Sequence, residues 1–356
     1  MQTVHFSEKI IAWYEVNKRT LPWRESGDPY IIWLSEIILQ QTRVEQGMPY
    51  FYKFIETFPD VKSFAEADEH DILKLWQGLG YYSRARNMYH AALSIVNEFE
   101  SKFPASFTDL RKLKGVGDYT AAAIASFAYN LPHAVVDGNV YRFLSRHFGI
   151  HTPIDSTEGK RQFFLLANKL LDKKKPAIHN QAMMEVGALI CTPRNPLCNQ
   201  CPVNSSCLAF HKKTIGQLPV KSKKTAVKNR YLFYFLILYK NKFIIHKRTG
   251  NDIWKNLYDL PLVETSKIIK PEKIFATPGF ISIVKESLFR INKISDSITH
   301  KLTHQNLHTV FIKLTLEQKN FESGAHMQFV SINNAKKFPF PKLIENYLLQ
   351  EKVLKP

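Results

Sequence analysis

The sequence of 356 residues predicts a multidomain protein in which a mainly α-helical region is followed by a smaller mixed α/β domain. Three observations lead to this prediction. Apolar residues recur at helical spacing through about the first 215 residues, a basic stretch without apolar periodicity follows, and aromatic and β-branched runs come after it. The predicted boundaries are therefore 1–218 for the helical region, 219–230 for a linker and 231–356 for the second domain.

Five segments of the first region carry apolar residues on one face of a helix, and breaks such as Leu79-Gly80 and Leu131-Pro132 separate them. The predicted helices are Ile31–Gln41, Asp71–Leu79, Arg84–Glu98, Thr120–Ala128 and Gly138–Phe148. In the second domain, a hairpin, a further strand and a closing helix are predicted from Tyr231–Tyr239 with Phe243–His246, His308–Leu314 and Pro341–Gln350, respectively.

The charge balance favours a polyanionic partner. The chain has 49 Lys and Arg against 31 Asp and Glu, a net charge of +18. Residues 219–356 contain 24 of these basic and 10 of these acidic side chains, so the excess is concentrated there. Nucleic acid and anionic lipid both fit, as does a basic surface that only keeps the protein soluble. An apolar content of 45% argues against a disordered chain.

No apolar run is long enough to predict a membrane span, and Met1 to Glu8 lacks the features of a signal peptide. We therefore expect a cytoplasmic protein, associated with the nucleoid if it is bacterial, with no membrane partner. In that compartment the four cysteines are poor candidates for disulfides.

The cysteines instead indicate a metal centre, because all of them fall in the spacing C-x6-C-x2-C-x5-C, with none left over. Four thiolates this close can converge on one centre. Structural zinc sites usually contain two separate C-x2-C pairs, whereas this stretch has one, so iron–sulfur is favoured over zinc or unligated thiols. The predicted ligands are Cys191, Cys198, Cys201 and Cys207.

This spacing resembles the [4Fe–4S] loop of the helix-hairpin-helix DNA glycosylase superfamily, which includes endonuclease III and the MutY-type adenine glycosylases. The resemblance implies one structural cluster per chain, which orders a basic loop near DNA. Arg194 lies in that loop and is expected to contact DNA, with ordinary solvated charge as the alternative.

Two further motifs fit the same superfamily. Gly115-Val116-Gly117 suits a tight turn between helices, whose N–H groups can bind a DNA phosphate. Asp137 precedes a predicted helix, so by itself it is a good N-cap residue. Together they resemble the helix-hairpin-helix and its downstream Gly/Pro-Asp signature. The resemblance implies that the Asp137 carboxylate stabilises an oxocarbenium-like sugar, or the covalent species formed from it.

A second carboxylate points to adenine as the substrate base. The segment Trp33–Val44 closely resembles the MutY segment that carries its catalytic glutamate, here Glu36. Its apolar neighbours can raise the pKa of a carboxyl group, as a general acid for adenine requires, although an exposed helix glutamate has the same local pattern. Tyr119 occupies the position of the lysine that forms a Schiff base in bifunctional relatives, so no strand cleavage by that chemistry is expected. Tyr119 is instead expected to help Asp137 stabilise the sugar cation. Asn139 is expected to support the site.

The remaining candidates concern DNA and the partner base. Leu39 and Gln41 match family positions at the duplex or the base pocket. Arg24 ends the segment Leu21–Arg24, which precedes the glutamate segment as in MutY, and it is expected to contact DNA. The loop Gly78–Arg84 resembles the one that inserts a tyrosine beside oxidised guanine, with Tyr82 preferred and Tyr81 as the alternative, and core packing remains possible for either ring.

The second domain resembles the Nudix-like domain of MutY through Lys247–Thr249 and Ile253–Pro261, but it has no Glu-rich metal-binding box. Nucleotide hydrolysis is therefore not expected. In place of the family's Phe-Ser-His loop for 8-oxoguanine, the chain has Leu302-Thr303-His304, which keeps the hydroxyl and the imidazole and loses the aromatic ring. A polar turn between strands is the alternative.

The resemblance covers nearly the whole chain and implies a monomeric, monofunctional glycosylase that removes adenine mispaired with 8-oxoguanine or guanine in double-stranded DNA. Three alternatives remain at this point: a thymine mismatch glycosylase of the same superfamily, a noncatalytic iron–sulfur DNA-binding protein, and a Nudix hydrolase with a DNA-binding appendage.

Overall fold

The computed structural model describes residues 2–222, 226–318 and 326–355. The chain divides into two compact units, and neither is continuous in sequence. The first comprises Met1–Glu66 and Asn87–Lys223, and the second comprises Ala67–Arg86 and Lys224–Pro356. No helix of the described residues is long and apolar enough to cross a membrane.

The first unit is helical and the second contains a sheet, which confirms the predicted fold class. The described helices are α1 (Gln2–Asn17), α2 (Pro29–Leu39), α3 (Val44–Thr57), α4 (Val61–Glu66), α5 (Glu69–Leu75), α6 (Ser83–Glu98), α7 (Phe107–Leu110), α8 (Asp118–Tyr129), α9 (Gly138–Phe148), α10 (Thr157–Leu170), α11 (Pro176–Glu185), α12 (Leu208–His211), α13 (Pro278–Val284) and α14 (Lys342–Gln350).

All five predicted helices are present, and local signals explain where their bounds differ. Helix α2 starts at Pro29 because Asp28 caps it, accepting the Tyr30 N–H at 2.8 Å. Helix α5 ends before the predicted Leu79, ahead of two glycines with left-handed backbone, Gly78 and Gly80.

Several apolar clusters fill the first unit. Trp33, Phe54 and Phe64 are fully buried, and the Phe64 ring packs against the other two. A second cluster joins α1, α9, α10 and α11, with Ile10 and Phe163 fully buried in it. These clusters fix the helices on which the candidate catalytic residues lie.

Among its described residues, the second unit contains a mixed sheet of eight strands in the order β3-β2-β1-β7-β5, with β4 on β1, β6 on β7 and β8 on β2. The predicted hairpin is confirmed, because Leu238 pairs with Phe243. Strands β1 and β7 run parallel over eleven positions, from Lys228↔Gln305 to Leu238↔Thr315. The strands are β1 (Lys228–Tyr239), β2 (Lys242–Lys247), β3 (Tyr258–Asp259), β4 (Leu262–Thr265), β5 (Phe289–Ile294), β6 (Ile298–Lys301), β7 (Gln305–Leu316) and β8 (Met327–Ser331).

Helices cover both faces of this sheet. On one face, Phe235 and Phe280 of α13 belong to the same apolar cluster. On the other, Phe311 stacks on Tyr347 of α14 at 3.9 Å and on Tyr234 at 5.7 Å between ring centroids. Burial on both faces explains why β1 has a continuous apolar run instead of alternating polar and apolar residues.

Long-range contacts attach the segment Ala67–Arg86 to the second unit, which a division by sequence position does not anticipate. Lys74 Nζ donates to Phe338 O at 3.2 Å, and Asn256 Nδ2 donates to Glu69 Oε2 at 2.9 Å. The predicted linker contributes residues 228–230 to β1, and its residues 223–225 lie outside the described part of the chain.

Candidate active site and metal centre

The first unit contains a cavity of about 200 Å³ between α2, α8, α9 and α11. All four residues predicted to be catalytic line it, together with two of the predicted DNA contacts, although they come from distant parts of the sequence. These are Arg24, Glu36, Leu39, Tyr119, Asp137 and Asn139.

Glu36 lies on the cavity side of α2 and is only 8% exposed. The Tyr119 hydroxyl donates to Glu36 Oε2 at 2.6 Å. Burial raises the pKa of Glu36 to about 7, the Tyr119 hydrogen bond opposes this rise, and the nearby Asp137 charge adds to it. At neutral pH the carboxyl group is therefore available in both protonation states, as a general acid that later acts as a base requires.

Asp137 caps α9 and lines the cavity, so the two roles that the sequence leaves open are compatible. Its Oδ1 accepts the Val140 N–H at 2.7 Å, and its Oδ2 accepts the Asn139 amide at 2.6 Å. Burial raises its pKa, whereas these two hydrogen bonds lower it. The positive end of the α9 dipole further favours an anion at this position.

The four cysteines line one small cavity near the C-terminal end of α9, together with Arg146 and His147. Burial raises the pKa of Cys201 to about 12; the Val203 N–H bonded to its sulfur lowers it, and the other cysteines raise it. Arg146 Nη1 lies 3.5 Å from Cys191 Sγ. Four thiols with N–H and guanidinium donors around them suit a thiolate-ligated cluster. Among the described residues, no group of three or more His, Cys, Asp or Glu side chains is arranged to hold a single metal ion.

The predicted hairpin has the expected turn geometry. Gly115 has φ of +80°, and a Cβ at this position would lie 2.7 Å from Asn87 Cβ, so only glycine fits. Val116 is buried, whereas Gly117 is exposed at the N-cap position of α8. The turn therefore presents the start of α8 to solvent.

A larger cavity of about 510 Å³ lies within the second unit, between the loop after α5 and the turn that joins β6 to β7. Leu302 N donates to Gln305 O at 2.7 Å, which places Thr303 and His304 at the exposed tip of the turn. Tyr81 Oη and Thr303 Oγ1 are 2.6 Å apart and share a hydrogen bond. The predicted recognition residues thus meet in one place.

The chain is similar to known proteins over most of its length. The model for the HhH-GPD superfamily of base excision DNA repair proteins matches residues 34–168, the iron-sulfur binding domain of endonuclease III matches 191–207, and the NUDIX domain matches 233–350. An adenine DNA glycosylase of Buchnera aphidicola subsp. Schizaphis graminum (strain Sg) is 36% identical over 96% of this chain and 97% of its own length.

The chain belongs to the adenine DNA glycosylase family.

Other relatives match a smaller share of the chain. The human adenine DNA glycosylase is 41% identical over 222 residues, which cover 60% of this chain and 41% of the human protein. Among solved structures, a thermostable thymine-DNA glycosylase has 27% identity and a TM-score of 0.55, and covers 59% of this chain and 97% of its own. The glycosylase fold is therefore shared beyond the adenine family.

In this family member, the two tyrosines of the loop predicted to insert beside the oxidised guanine differ in exposure. The Tyr82 side chain is only 4% exposed, and its hydroxyl donates to Phe340 O at 3.4 Å. Tyr81 is 48% exposed. A residue that inserts into DNA must reach the base stack, so this exposure favours Tyr81, the alternative of the pair, over Tyr82.

The predicted DNA-contacting side chains separate into cavity and surface positions. Arg24 and Leu39 line the cavity. The Arg24 guanidinium forms an ion pair with Glu185 there, so it does not lie on the outer surface. Gln41 is exposed just after α2, with a left-handed φ of 57°. Arg194 is exposed on the loop between the first two cysteines.

Glu185 is a cavity residue that the sequence analysis missed. Its carboxylate accepts hydrogen bonds from Arg19 Nη2 and Arg24 Nη2, both at 2.7 Å. Its pKa falls to about 2, because these bonds outweigh the opposing effect of burial. The available signal was a carboxylate within an otherwise apolar stretch of helix, which implies an unseen partner.

Two more unforeseen residues hold the Asp137 region in place. Asn180 is buried, accepts the Val135 N–H at 3.0 Å and donates to His133 O at 2.8 Å, so it fixes the segment that leads to Asp137. Arg142 donates to Asn139 Oδ1 at 2.9 Å and to Cys191 O at 2.6 Å. The cysteine loop and the cavity are therefore connected by hydrogen bonds.

Proposed function

We propose that this protein removes adenine mispaired with 8-oxoguanine, or with guanine, from double-stranded DNA, and that it does not cleave the DNA strand. The observation that carries the proposal is the hydrogen-bonded pair of Glu36 and Tyr119 in a cavity shared with Asp137. A lysine at the position of Tyr119 would instead imply attack on the sugar and cleavage of the strand. The family relationship supports adenine as the base removed.

Glu36 acts first, as the general acid. Adenine is a poor leaving group until a ring nitrogen is protonated, and we propose that this nitrogen is N7. With a pKa of about 7, a substantial fraction of Glu36 carries the proton at neutral pH. Proton transfer leaves Glu36 as a carboxylate, to which the Tyr119 hydroxyl continues to donate.

Asp137 acts on the sugar once the glycosidic bond breaks. Its carboxylate stabilises the oxocarbenium-like sugar, or the covalent species formed from it, because an anion in a desolvated site strongly favours nearby positive charge. The Val140 N–H and the Asn139 amide hold both carboxylate oxygens, so Asp137 needs no reorganisation. The Glu36 carboxylate then takes a proton from the attacking water.

Strand cleavage through a Schiff base requires a nucleophilic amine. Of the described residues that line the cavity, none is a lysine, and Tyr119 cannot form an imine. The expected product is therefore an intact strand with an abasic site.

DNA binding is assigned to exposed elements of the first unit: the Gly115–Gly117 turn, Gln41 and the Arg194 loop. The turn offers backbone N–H groups to a phosphate, and extrusion of adenine brings the base to Glu36. The four cysteines would hold a [4Fe–4S] cluster, which supplies rigid iron–thiolate crosslinks to the Arg194 loop. We propose a monomer that binds one duplex, with an affinity that falls steeply as salt increases.

Recognition of the opposite base is assigned to the second unit. Tyr81 inserts beside the oxidised guanine, and Thr303 and His304 offer hydrogen bonds to it. Hydrolysis of nucleotides is a poor alternative here, because the neighbouring carboxylates are paired with arginines: Asp252 and Glu264 with Arg230, and Asp259 with Arg248.

The test is base release from a duplex with one adenine opposite 8-oxoguanine, using wild-type protein and Glu36→Gln, with and without alkali after the reaction. We expect strand breaks only after alkali, and none with the variant. Breaks without alkali would contradict the monofunctional mechanism. Release of thymine from a G·T duplex but no release of adenine would replace the proposal by thymine mismatch repair, and no release of either base would leave a binding protein.

A further inference from the structure

The loop after α5 presents Tyr81 through an unusual backbone. Gly78 and Gly80 have φ of 102° and 74°, and Tyr81 itself has φ of 48°. A residue with a bulky side chain is rarely found in this left-handed region, and such a conformation persists only where surrounding contacts enforce it. The contacts that hold Tyr81 are therefore part of how it is presented.

Arg84 supplies several of these contacts. It lies in the first turn of α6 and is 8% exposed. Its guanidinium carbon is 5.7 Å from the centroid of the Tyr81 ring and 4.9 Å from that of Trp76. Arg84 Nη2 donates to Gly80 O at 3.3 Å, and Trp76 Nε1 donates to the same oxygen at 3.0 Å. The backbone N–H of Arg84 also donates to Tyr81 O, at 2.9 Å.

The other end of Tyr81 is held as well, because its hydroxyl shares the hydrogen bond with Thr303. The ring is thus fixed by a cation at its face and by a partner at its hydroxyl, yet about half of it remains exposed. A ring held in this way can stack on a base without first being ordered, which favours binding.

We propose that Arg84 is a positioning residue for mispair recognition: it holds the Tyr81 ring in the orientation in which that ring inserts beside the oxidised guanine. The inference rests on the proposed role of Tyr81. A planar guanidinium can contact two rings and a carbonyl oxygen at once, whereas the point charge of a lysine cannot. Because the side chain is buried, Arg84 acts through Tyr81 and makes no phosphate contact.

The test compares Arg84→Met, Arg84→Lys and the matched control Arg86→Met, whose wild-type guanidinium donates to Lys255 O at 2.9 Å. The readout is the ratio of kcat/KM for adenine opposite 8-oxoguanine to that for adenine opposite guanine. We expect Arg84→Met to lower this ratio about tenfold and Arg84→Lys about threefold. The rate at saturating DNA with guanine opposite should change by less than about twofold, which also shows that the variants are folded. Arg86→Met should leave the ratio unchanged.

Tyr81→Leu and the double variant Tyr81→Leu/Arg84→Met show whether the effect passes through the tyrosine. We expect the double variant to have the same ratio as Tyr81→Leu, because the ring that Arg84 positions is already absent. Additive losses would overturn the proposal. So would a fall of about one in the salt slope of binding for Arg84→Met, which would reveal a lost phosphate contact.

Failure of this inference differs from failure of the proposed function. If Tyr81→Leu leaves the ratio unchanged, the wedge itself is wrong, and the role of Arg84 falls with it. If Tyr81→Leu lowers the ratio and Arg84→Met does not, the wedge stands and only the positioning role is overturned.

Discussion

The Glu36 cavity in the first unit and the Tyr81–Thr303 site in the second differ in how far their functional side chains are exposed to solvent. In the cavity, carboxyl groups are buried, so that their pKa values and hydrogen bonds are set before DNA arrives. In the second site, Tyr81, Thr303 and His304 are exposed on a loop and a turn. Proton transfer needs a shielded group with a shifted pKa, whereas reading a base within a duplex needs side chains that reach outward.

This contrast predicts how each site responds to substitution. Changes in the cavity should alter rate or stability by large factors, because each removes a buried group on which others depend. Changes at the exposed site should alter preference between substrates by small factors and leave stability intact. The following experiments test both halves of the comparison.

The largest effect is expected from Asp137→Asn. Asparagine caps a helix as well as aspartate, so the thermal midpoint should stay close to that of the wild type, whereas loss of the anion should slow adenine release about 10³-fold. Single-turnover rates and thermal unfolding measure the two effects separately. Asp68→Asn, which alters the aspartate that caps α5, is the matched control and should change neither quantity. If Asp137→Asn keeps full activity, Asp137 serves only as the N-cap of α9.

Glu185→Gln should destabilise the first unit by about 3 kcal/mol, because it leaves two arginines beside a neutral group in a buried site. The folded-state pKa of about 2 lies below the ordinary value of 4.5, so the ionised carboxylate stabilises the fold above about pH 4.5, and this contribution is lost as the pH falls towards 2. The difference in thermal midpoint between wild type and variant should therefore narrow on acidification over that range.

The control for this prediction is the exposed Glu158 in the first turn of α10, where Glu158→Gln should have little effect at any pH. A difference between wild type and Glu185→Gln that stays constant from pH 7 to pH 3 would mean that the ion pairs contribute no pH-dependent stability.

Tyr119→Phe should reduce the rate of adenine release about tenfold, because the Glu36 carboxylate loses its donor. That hydrogen bond lowers the pKa of Glu36, so its removal should raise the pKa. If protonated Glu36 is the acid, activity falls as the pH rises through this pKa, and the descending limb of the pH–rate profile should move to higher pH. Tyr129→Phe, on the same helix with its hydroxyl on Phe103 O, is the control. If the descending limb of the pH–rate profile does not move, Glu36 is not the group whose titration limits activity.

Predictability from the sequence differs between the sites for a physical reason. Glu36, Tyr119 and Asp137 lie in contiguous motifs that resemble those of the glycosylase family, and that resemblance, more than the residue types alone, predicts their roles. The partners of Glu185 lie more than 160 positions away in the sequence, and only the fold brings them together. Tyr81 and Tyr82 are adjacent and chemically equal, and the backbone angles of one loop decide which ring is exposed. The same long-range packing places Ala67–Arg86 in the second unit.

The smallest effect is expected at Leu302, where this chain departs from the Phe-Ser-His loop that its sequence otherwise resembles. The residue is half-buried in the turn beside Thr303, so Leu302→Phe adds a ring next to the proposed guanine contacts. We expect the preference for 8-oxoguanine over guanine to rise about threefold, as a favourable ring contact allows, with no change in the rate at saturating DNA. Leu302→Ile, which adds no ring, is the control. An unchanged preference would mean that Thr303 and His304 alone read the opposite base, and that the lost ring was never needed in this sequence.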